Sequence, residues 1–244
     1  MKNKHTLIIG GTKGIGLEVA KSFSREKHTV SVLGRSPLTT KNKYISCWNL
    51  DLVNNIKNVS KVLDKIIEKN GKISNLIFLQ RYRGKESVWD NEIKVSLTST
   101  KLIIENLIDK FDETGDKSIV IMGSLASSLI AEEQPLSYHV VKSALNQMVR
   151  YFAVNLGPKG IRVNCVSAGS VIKEESKKYY LSNKQLQSLY KKITPLGRMC
   201  TSKDIANTIY FLCSSNASFI TGQNIAVDGG VSLQMHESLA RKLK

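Results

Sequence analysis

The 244-residue chain is 41% hydrophobic and 23% charged, a globular balance that excludes collagen-like and disordered classes and suffices for one α/β domain with a large core. Its 36 Lys and Arg outnumber its 20 Asp and Glu, for a formal charge of +16. The basic residues are scattered, in runs such as KNK and KKYY, with no stripe interleaved with aromatics, which reads as a solvated surface and against nucleic-acid binding.

At the N-terminus, MKNKHTLIIGGTKG is charged and then apolar for about four residues before glycines intervene, too short a core for a signal peptide. No apolar run approaches the roughly 18 residues of a membrane span, so the expectation is a cytoplasmic protein with no membrane partner. TLIIG reads as the first strand and GIGLEVAKSFSREK as the first helix. Between them stand Gly10, Gly11, Thr12, Lys13, Gly14, Ile15 and Gly16. Glycines at a strand-to-helix turn let the backbone approach a pyrophosphate, whose charge then sits at the positive end of the helix. The spacing is G-x-x-x-G-x-G, not the usual G-x-G-x-x-G fingerprint. The second strand, HTVSVLG, runs into Arg35 where an NAD-binding chain presents an acid to the ribose 2′-hydroxyl. With Lys13 on the same side, two cations would welcome a 2′-phosphate, and NADP(H) is expected over NAD(H).

YISCWNL follows as the third strand, then the helix IKNVSKVLDKIIEKN and a fourth strand, NLIFLQ, that leads without a turn into Arg81, Tyr82 and Arg83. The carboxyl ends of parallel strands flank the ligand crevice, so both arginines are expected beside cofactor and substrate. They would suit an anionic substrate through forked hydrogen bonds; the alternatives are a pair with Glu86 or Asp90, or a neighbouring subunit. The helix EIKVSLTSTKLIIENLIDKF leads to the fifth strand, SIVIMGS, and then to SYHVVKSALNQMVRYFAVNLG. That segment carries Val141, Leu145, Met148, Val149, Phe152 and Leu156 as a helical stripe, closed by Gly157 and Pro158. Tyr138 and Lys142 are i and i+4 on one face, and an ammonium beside a phenol favours the phenolate, which makes Tyr138 a candidate proton donor.

The sixth strand, IRVNCVS, precedes a polar, partly helical excursion at 170–197, read either as a mobile flap over a site or as a surface loop. The helix KDIANTIYFLCSS and the strand NIAVDGG complete the order. Several strands carry consecutive apolar residues, as they do when helices cover both faces of a parallel sheet. The expected fold is a doubly wound, mostly seven-stranded parallel α/β sheet of Rossmann type, a single domain over 1–244 with a small helical substrate flap at 170–197. Cys47, Cys165, Cys200 and Cys213 form no C-x-x-C and read as buried thiols in a reducing compartment. His5, His28, His139 and His236 lie too far apart for a local zinc motif, and no metal is expected.

Taken in order, the glycine turn, IVIMGSLAS, Y-x-x-x-K and the closing stretch from PLGRMC to AVDGG resemble the classical short-chain dehydrogenase/reductase family over nearly the whole chain. The last third is most similar to its 3-oxoacyl-carrier-protein reductase branch. The resemblance implies that Tyr138 protonates a carbonyl oxygen, that Lys142 holds the nicotinamide ribose and acidifies the phenol, and that Ser124 hydrogen-bonds the substrate oxygen. It implies cofactor contacts from Gly10, Thr12, Lys13, Gly14, Ile15, Gly16, Arg35, Asp51, Leu52, Gln80, Tyr138, Lys142 and Gly169, with Asp51 at adenine. Ser96 occupies the family's active-site asparagine position and is too short to hold a relay water in the same way. Ser124 is fourteen residues before Tyr138, which leaves Ser127 as a second candidate. Ala168, Gly169 and Lys173 stand where relatives carry Pro-Gly and a threonine, so the nicotinamide amide is expected on backbone at Ile172. The fourth strand ends in Phe78-Leu79-Gln80-Arg81 where relatives have Asn-Asn-Ala-Gly.

The resulting expectation is an NADP(H)-dependent carbonyl reductase or alcohol dehydrogenase, with a 3-oxoacyl thioester as first substrate candidate. A keto-sugar or nucleotide-sugar reductase and a catalytically weakened dinucleotide-binding regulator are the alternatives. MHESLARKLK resembles a subunit-packing tail, implying a homotetramer or another homo-oligomer.

Overall fold

In a computed structural model of the protein, which describes residues 4–38 and 41–243, all seven strands read from the sequence form one parallel sheet. They are β1 (His5–Ile9), β2 (Thr29–Gly34), β3 (Ile45–Asn49), β4 (Asn75–Phe78), β5 (Lys117–Met122), β6 (Ile161–Ala168) and, as the last strand, Asn224–Val227. The helices between them are α1 (Gly14–Arg25), α2 (Val59–Asn70), α3 (Val88–Ile93), α4 (Ser99–Leu107) and α5 (Leu136–Leu156). After β6 come β7 (Val171–Ile172), α6 (Lys177–Ser182), α7 (Lys184–Ile193), β8 (Cys200–Thr201) and α8 (Ser202–Cys213). The last strand is therefore β9, and α9 (His236–Leu243) closes the chain.

The strand order is β3-β2-β1-β4-β5-β6-β9. The chain winds outward in one direction from β1 and in the other from β4, so a crevice opens between those two strands at their carboxyl ends, where doubly wound sheets bind ligands. Alternation along the strands divides the core. Leu7 and Ile9 of β1 pack with Leu63, Ile66, Ile103, Leu145 and Val149 of α2, α4 and α5 on one face. Ile8 packs with Val19, Phe23, Ile205 and Ile209 of α1 and α8 on the other. Burying each of these large side chains contributes about 1.5–3 kcal/mol, which is why the strands read as unbroken apolar runs.

Three features depart from the sequence reading. The stretch read as one helix after β4 is divided by a π-helical turn at Lys94–Thr98, between α3 and α4. A second, two-stranded sheet joins β7 to β8 and pins the start of the 170–197 excursion, which otherwise consists of a short 3-10 turn, α6 and α7. Cys165 and Cys213 are buried as expected, but Cys47 is exposed and Cys200 only partly covered: Cys47 lies on the edge strand β3, which is hydrogen-bonded to β2 alone. No helix among the described residues is long and apolar enough to cross a membrane.

Candidate active site

A groove of roughly 860 Å³ runs along the carboxyl edge of the sheet, within the range of sizes that take nucleotides and other small ligands. Its floor is the glycine turn. Gly10 has φ +84°, and a Cβ there would stand 2.6 Å from Gln80 N at the end of β4. A Cβ on Gly16 would overlap Gly10 O, so only hydrogen fits where α1 crosses its own turn. Helix α1 begins at Gly14 with no side-chain cap and no acid in its first turn, which leaves its N-terminal N–H groups to an external anion. An anion already lies against it: the Glu175 carboxylate reaches to 2.9 Å from the position a Cβ of residue 14 would take. Thr12, Lys13 and Ile15 also line this part of the groove. These observations fit a dinucleotide pyrophosphate.

Arg35, which follows β2, lines the groove as Lys13 does, and a Cβ on the preceding Gly34 would stand 2.8 Å from the Thr12 side chain of the glycine turn. Asp51 and Leu52 follow β3 on its wall. The Asp51 carboxylate is engaged locally: Oδ1 accepts from Val53 N (2.8 Å) and Oδ2 from Asn54 Nδ2 (2.9 Å). Burial works against its charge, but these hydrogen bonds and the Arg35 cation leave its pKa below the usual carboxylate value. Gln80 also faces the groove, its Nε2 tied to Thr100 Oγ1 (2.8 Å).

Helix α5 places Tyr138 in its first turn and Lys142 one turn later, both on the groove wall. Lys142 is only 4% exposed, and its Nζ donates to Met122 O at the end of β5 (2.7 Å) while standing 5.6 Å from the Tyr138 ring centre. Burial lowers its pKa to about 8; the Cys165 sulfur and the Glu92 carboxylate oppose that fall and Arg81 adds to it. Ser124 lines the groove, and its Oγ accepts from Ala126 N (3.2 Å), which leaves the hydroxyl proton to donate outward. Ser127 is not on the groove wall; its carbonyl accepts from Ser143 Oγ (2.7 Å) and fastens the turn to α5.

Arg81 and Arg83 both reach the groove, and among the described residues neither pairs with Glu86 or Asp90. The Arg81 guanidinium lies over the Tyr138 ring at 4.0 Å and donates to Gln134 Oε1 (2.5 Å), while its Nε has no partner. Arg83 is exposed, lines the groove with Lys173 and lies within its electrostatic reach. Burial, then Arg83 and, less strongly, Arg81 lower the Lys173 pKa, against the opposing Glu175 carboxylate. Lys173, which the sequence reading treated only as a departure from a family threonine, thus completes a cluster of three cations. The separation of residues 83 and 173 along the chain hid that meeting.

Two further expected residues lie off the groove. Gly169 lines it, but Ile172 is paired with Thr201 in the β7–β8 ladder. Ser96 is 1% exposed behind the wall, its Oγ donating to Glu92 Oε1 (2.8 Å) and its carbonyl accepting from Thr100 Oγ1 (2.7 Å).

A family model described as enoyl-(acyl carrier protein) reductase matches residues 10–232. The chain is 30% identical over 247 residues to the 3-oxoacyl-[acyl-carrier-protein] reductase FabG of Buchnera aphidicola, covering 95% of this chain and 98% of that one. It is 27% identical over 247 residues to dehydrogenase/reductase SDR family member 4 of Mus musculus, covering 94% and 88%. Among solved structures, ElxO with NADP bound superposes with a TM-score of 0.82 at 25% identity over 95% of this chain and 100% of that one. The ligand-free aldohexose dehydrogenase of Thermoplasma acidophilum shares the fold with a TM-score of 0.85 at 24% identity, over 96% of each chain.

Proposed function

The chain belongs to the short-chain dehydrogenase/reductase family, and from that premise we propose that it is an NADP(H)-dependent carbonyl reductase acting on an anionic or carrier-bound substrate. The observation that carries this reading is the meeting of Tyr138, Lys142 and Ser124 with the glycine turn along one groove. Lys13, Gly14, Ile15 and Gly16 would hold the pyrophosphate, and Lys13 with Arg35 the 2′-phosphate; Asp51, Leu52, Gln80 and Gly169 complete the dinucleotide's surroundings.

When bound, the reduced nicotinamide supplies hydride to the carbonyl carbon. Ser124, through its free hydroxyl, donates a hydrogen bond to the carbonyl oxygen and fixes its direction. Tyr138 then transfers its phenolic proton to that oxygen. The positive charges of Lys142, held by Met122 O, and of Arg81, stacked on the ring, offset the charge left on the phenol oxygen. Arg83 and Lys173 would receive a carboxylate or phosphate elsewhere on the substrate, under a flap formed by 170–197.

A 3-oxoacyl thioester on acyl carrier protein is the first substrate, supported by the likeness to the Buchnera reductase and by a basic surface that attracts an acidic carrier. The cation cluster beside the groove favours a keto-sugar phosphate or nucleotide-sugar as the second. The protein acts as a homo-oligomer, tetramer or dimer, within the cytoplasm. The test compares NADPH with NADH against a panel of 3-oxoacyl thioesters and phosphorylated keto-sugars. NADPH is expected to be preferred, Arg35→Asp to reverse that preference, and Tyr138→Phe to abolish turnover while NADPH still binds. Binding without turnover on any ketone would identify a dinucleotide-binding regulator instead.

A further inference from the structure

On helix α3 and at the start of the π-helical turn, Asp90, Asn91 and Lys94 are polar neighbours of Glu92, a context in which a glutamate ordinarily faces water. Glu92 does not: it is 2% exposed, buried where α3 packs against α5. Its Oε1 accepts from Ser96 Oγ (2.8 Å), one turn on, in the π-helical turn. A carboxylate buried this deeply is sustained by a nearby opposite charge, and the Lys142 ammonium, itself buried, lies within its field.

We propose that Glu92 is the buried counterion of Lys142: a positioning residue, held in direction by Ser96, that keeps the Lys142 ammonium charged inside the active site. This inference rests on the reading of Lys142 as part of a reductase site. The ammonium has lost nearly all its water and is turned toward Met122 O, a neutral acceptor. The groups facing it are Tyr138 on its own helix, Arg81 beyond β4, Cys165 on β6 and Glu92 on α3. Arg81 repels it. Cys165 cannot compensate at neutral pH, because burial raises its pKa above the ordinary thiol value and its Sγ–H donates to Asn146 Oδ1 (3.4 Å). Glu92 is the one carboxylate among the groups facing the ammonium. It does not touch Lys142 directly, so it acts through the low-dielectric interior between them, where a charge is felt over several ångströms.

The sign follows from the chemistry. Removing the carboxylate's charge takes away a group that favours ammonium, so Lys142 should lose its proton at lower pH. The measurement is the NMR titration of the Lys142 side chain in the full-length protein without added substrate, its signal identified by its loss in Lys142→Met. Wild type should titrate near 8. Glu92→Gln, which keeps an acceptor for Ser96, should titrate roughly half a unit or more lower. Glu92→Asp, which keeps the charge, should stay nearer wild type. Ser96→Ala should shift the titration less than Glu92→Gln, because it removes the anchor and leaves the charge. The alkaline limb of kcat in NADPH-dependent turnover should move with the titration. An unchanged Lys142 titration in folded Glu92→Gln overturns the proposal, as does a Glu92 side chain that stays protonated between pH 6 and 8 in a carboxyl-detected experiment. Because the titration requires no turnover, an inactive wild type would refute the reductase reading while leaving the counterion measurable.

Discussion

Replacing Lys173 by methionine tests whether the cation cluster reads substrate charge. Lys173 is half-buried beside Arg83, with Arg81 farther in and Glu175 as the opposing carboxylate. Three cations against one anion leave an excess of positive charge at this end of the groove. A charge-assisted hydrogen bond to a carboxylate or phosphate contributes about 1.5–3 kcal/mol when well enclosed. Lys173 is open enough to solvent that screening reduces this to about 1.4 kcal/mol, a factor of ten in affinity. Lys173→Met should therefore raise KM about tenfold for a ketone bearing a carboxylate or phosphate, and less than about twofold for its uncharged ester. The assay is initial-rate NADPH oxidation with each member of such a pair. Arg83→Met should act in the same direction, and the double variant should lose less than the product of the two because both cations hold one group. Equal effects on charged and uncharged ketones, or none on either, would refute the anion-reading role.

Glu175→Gln removes the carboxylate lying against Gly14 at the start of α1, where a pyrophosphate would have to displace it. NADPH should then bind about three- to tenfold more tightly in a fluorescence titration, with the gain shrinking at high salt; unchanged or weaker binding would show that the carboxylate does not compete. At the amino ends of the strands, His5 bonds Gly71 O and Ser31 Oγ (2.8 Å each), and His28 bonds Thr6 Oγ1 (3.1 Å). Burial holds both below the ordinary 6.5, His28 at about 4 with help from Lys4. The unfolded chain therefore takes up protons that the folded protein refuses, so this contribution is complete above about pH 6.5 and is lost as pH falls toward 4. Melting temperature should drop between pH 7.5 and 5, and His28→Gln should flatten that slope; identical slopes would remove His28 from the account.

Much of the site was legible because its signals are local. The glycine turn depends on a few consecutive residues between a strand and a helix, and the Tyr138–Lys142 pair on the pitch of a single helix. Arg81 and Arg83 were placed at the crevice because strand ends in a doubly wound sheet face it. Ser96 stands out in the sequence as a departure from the family asparagine, but nothing in VWDNEIKVSLT distinguishes Glu92 from its polar neighbours. Its burial depends on where α3 meets α5, and its bond to Ser96 on a π-helical turn inserted into what reads as a continuous helix.

Apolar runs buried on both faces, turn glycines and the i to i+4 pairing are matters of backbone geometry over a few residues, so the amino-acid order alone determined the sheet, the nucleotide turn and the phenol with its ammonium. Which charges surround that ammonium was decided only by the tertiary structure. Residues 83 and 173, or 92 and 142, come within each other's electrostatic reach because crossing connections bring distant segments to one end of the sheet, and electrostatic energy depends on that distance through space and on the water excluded between them.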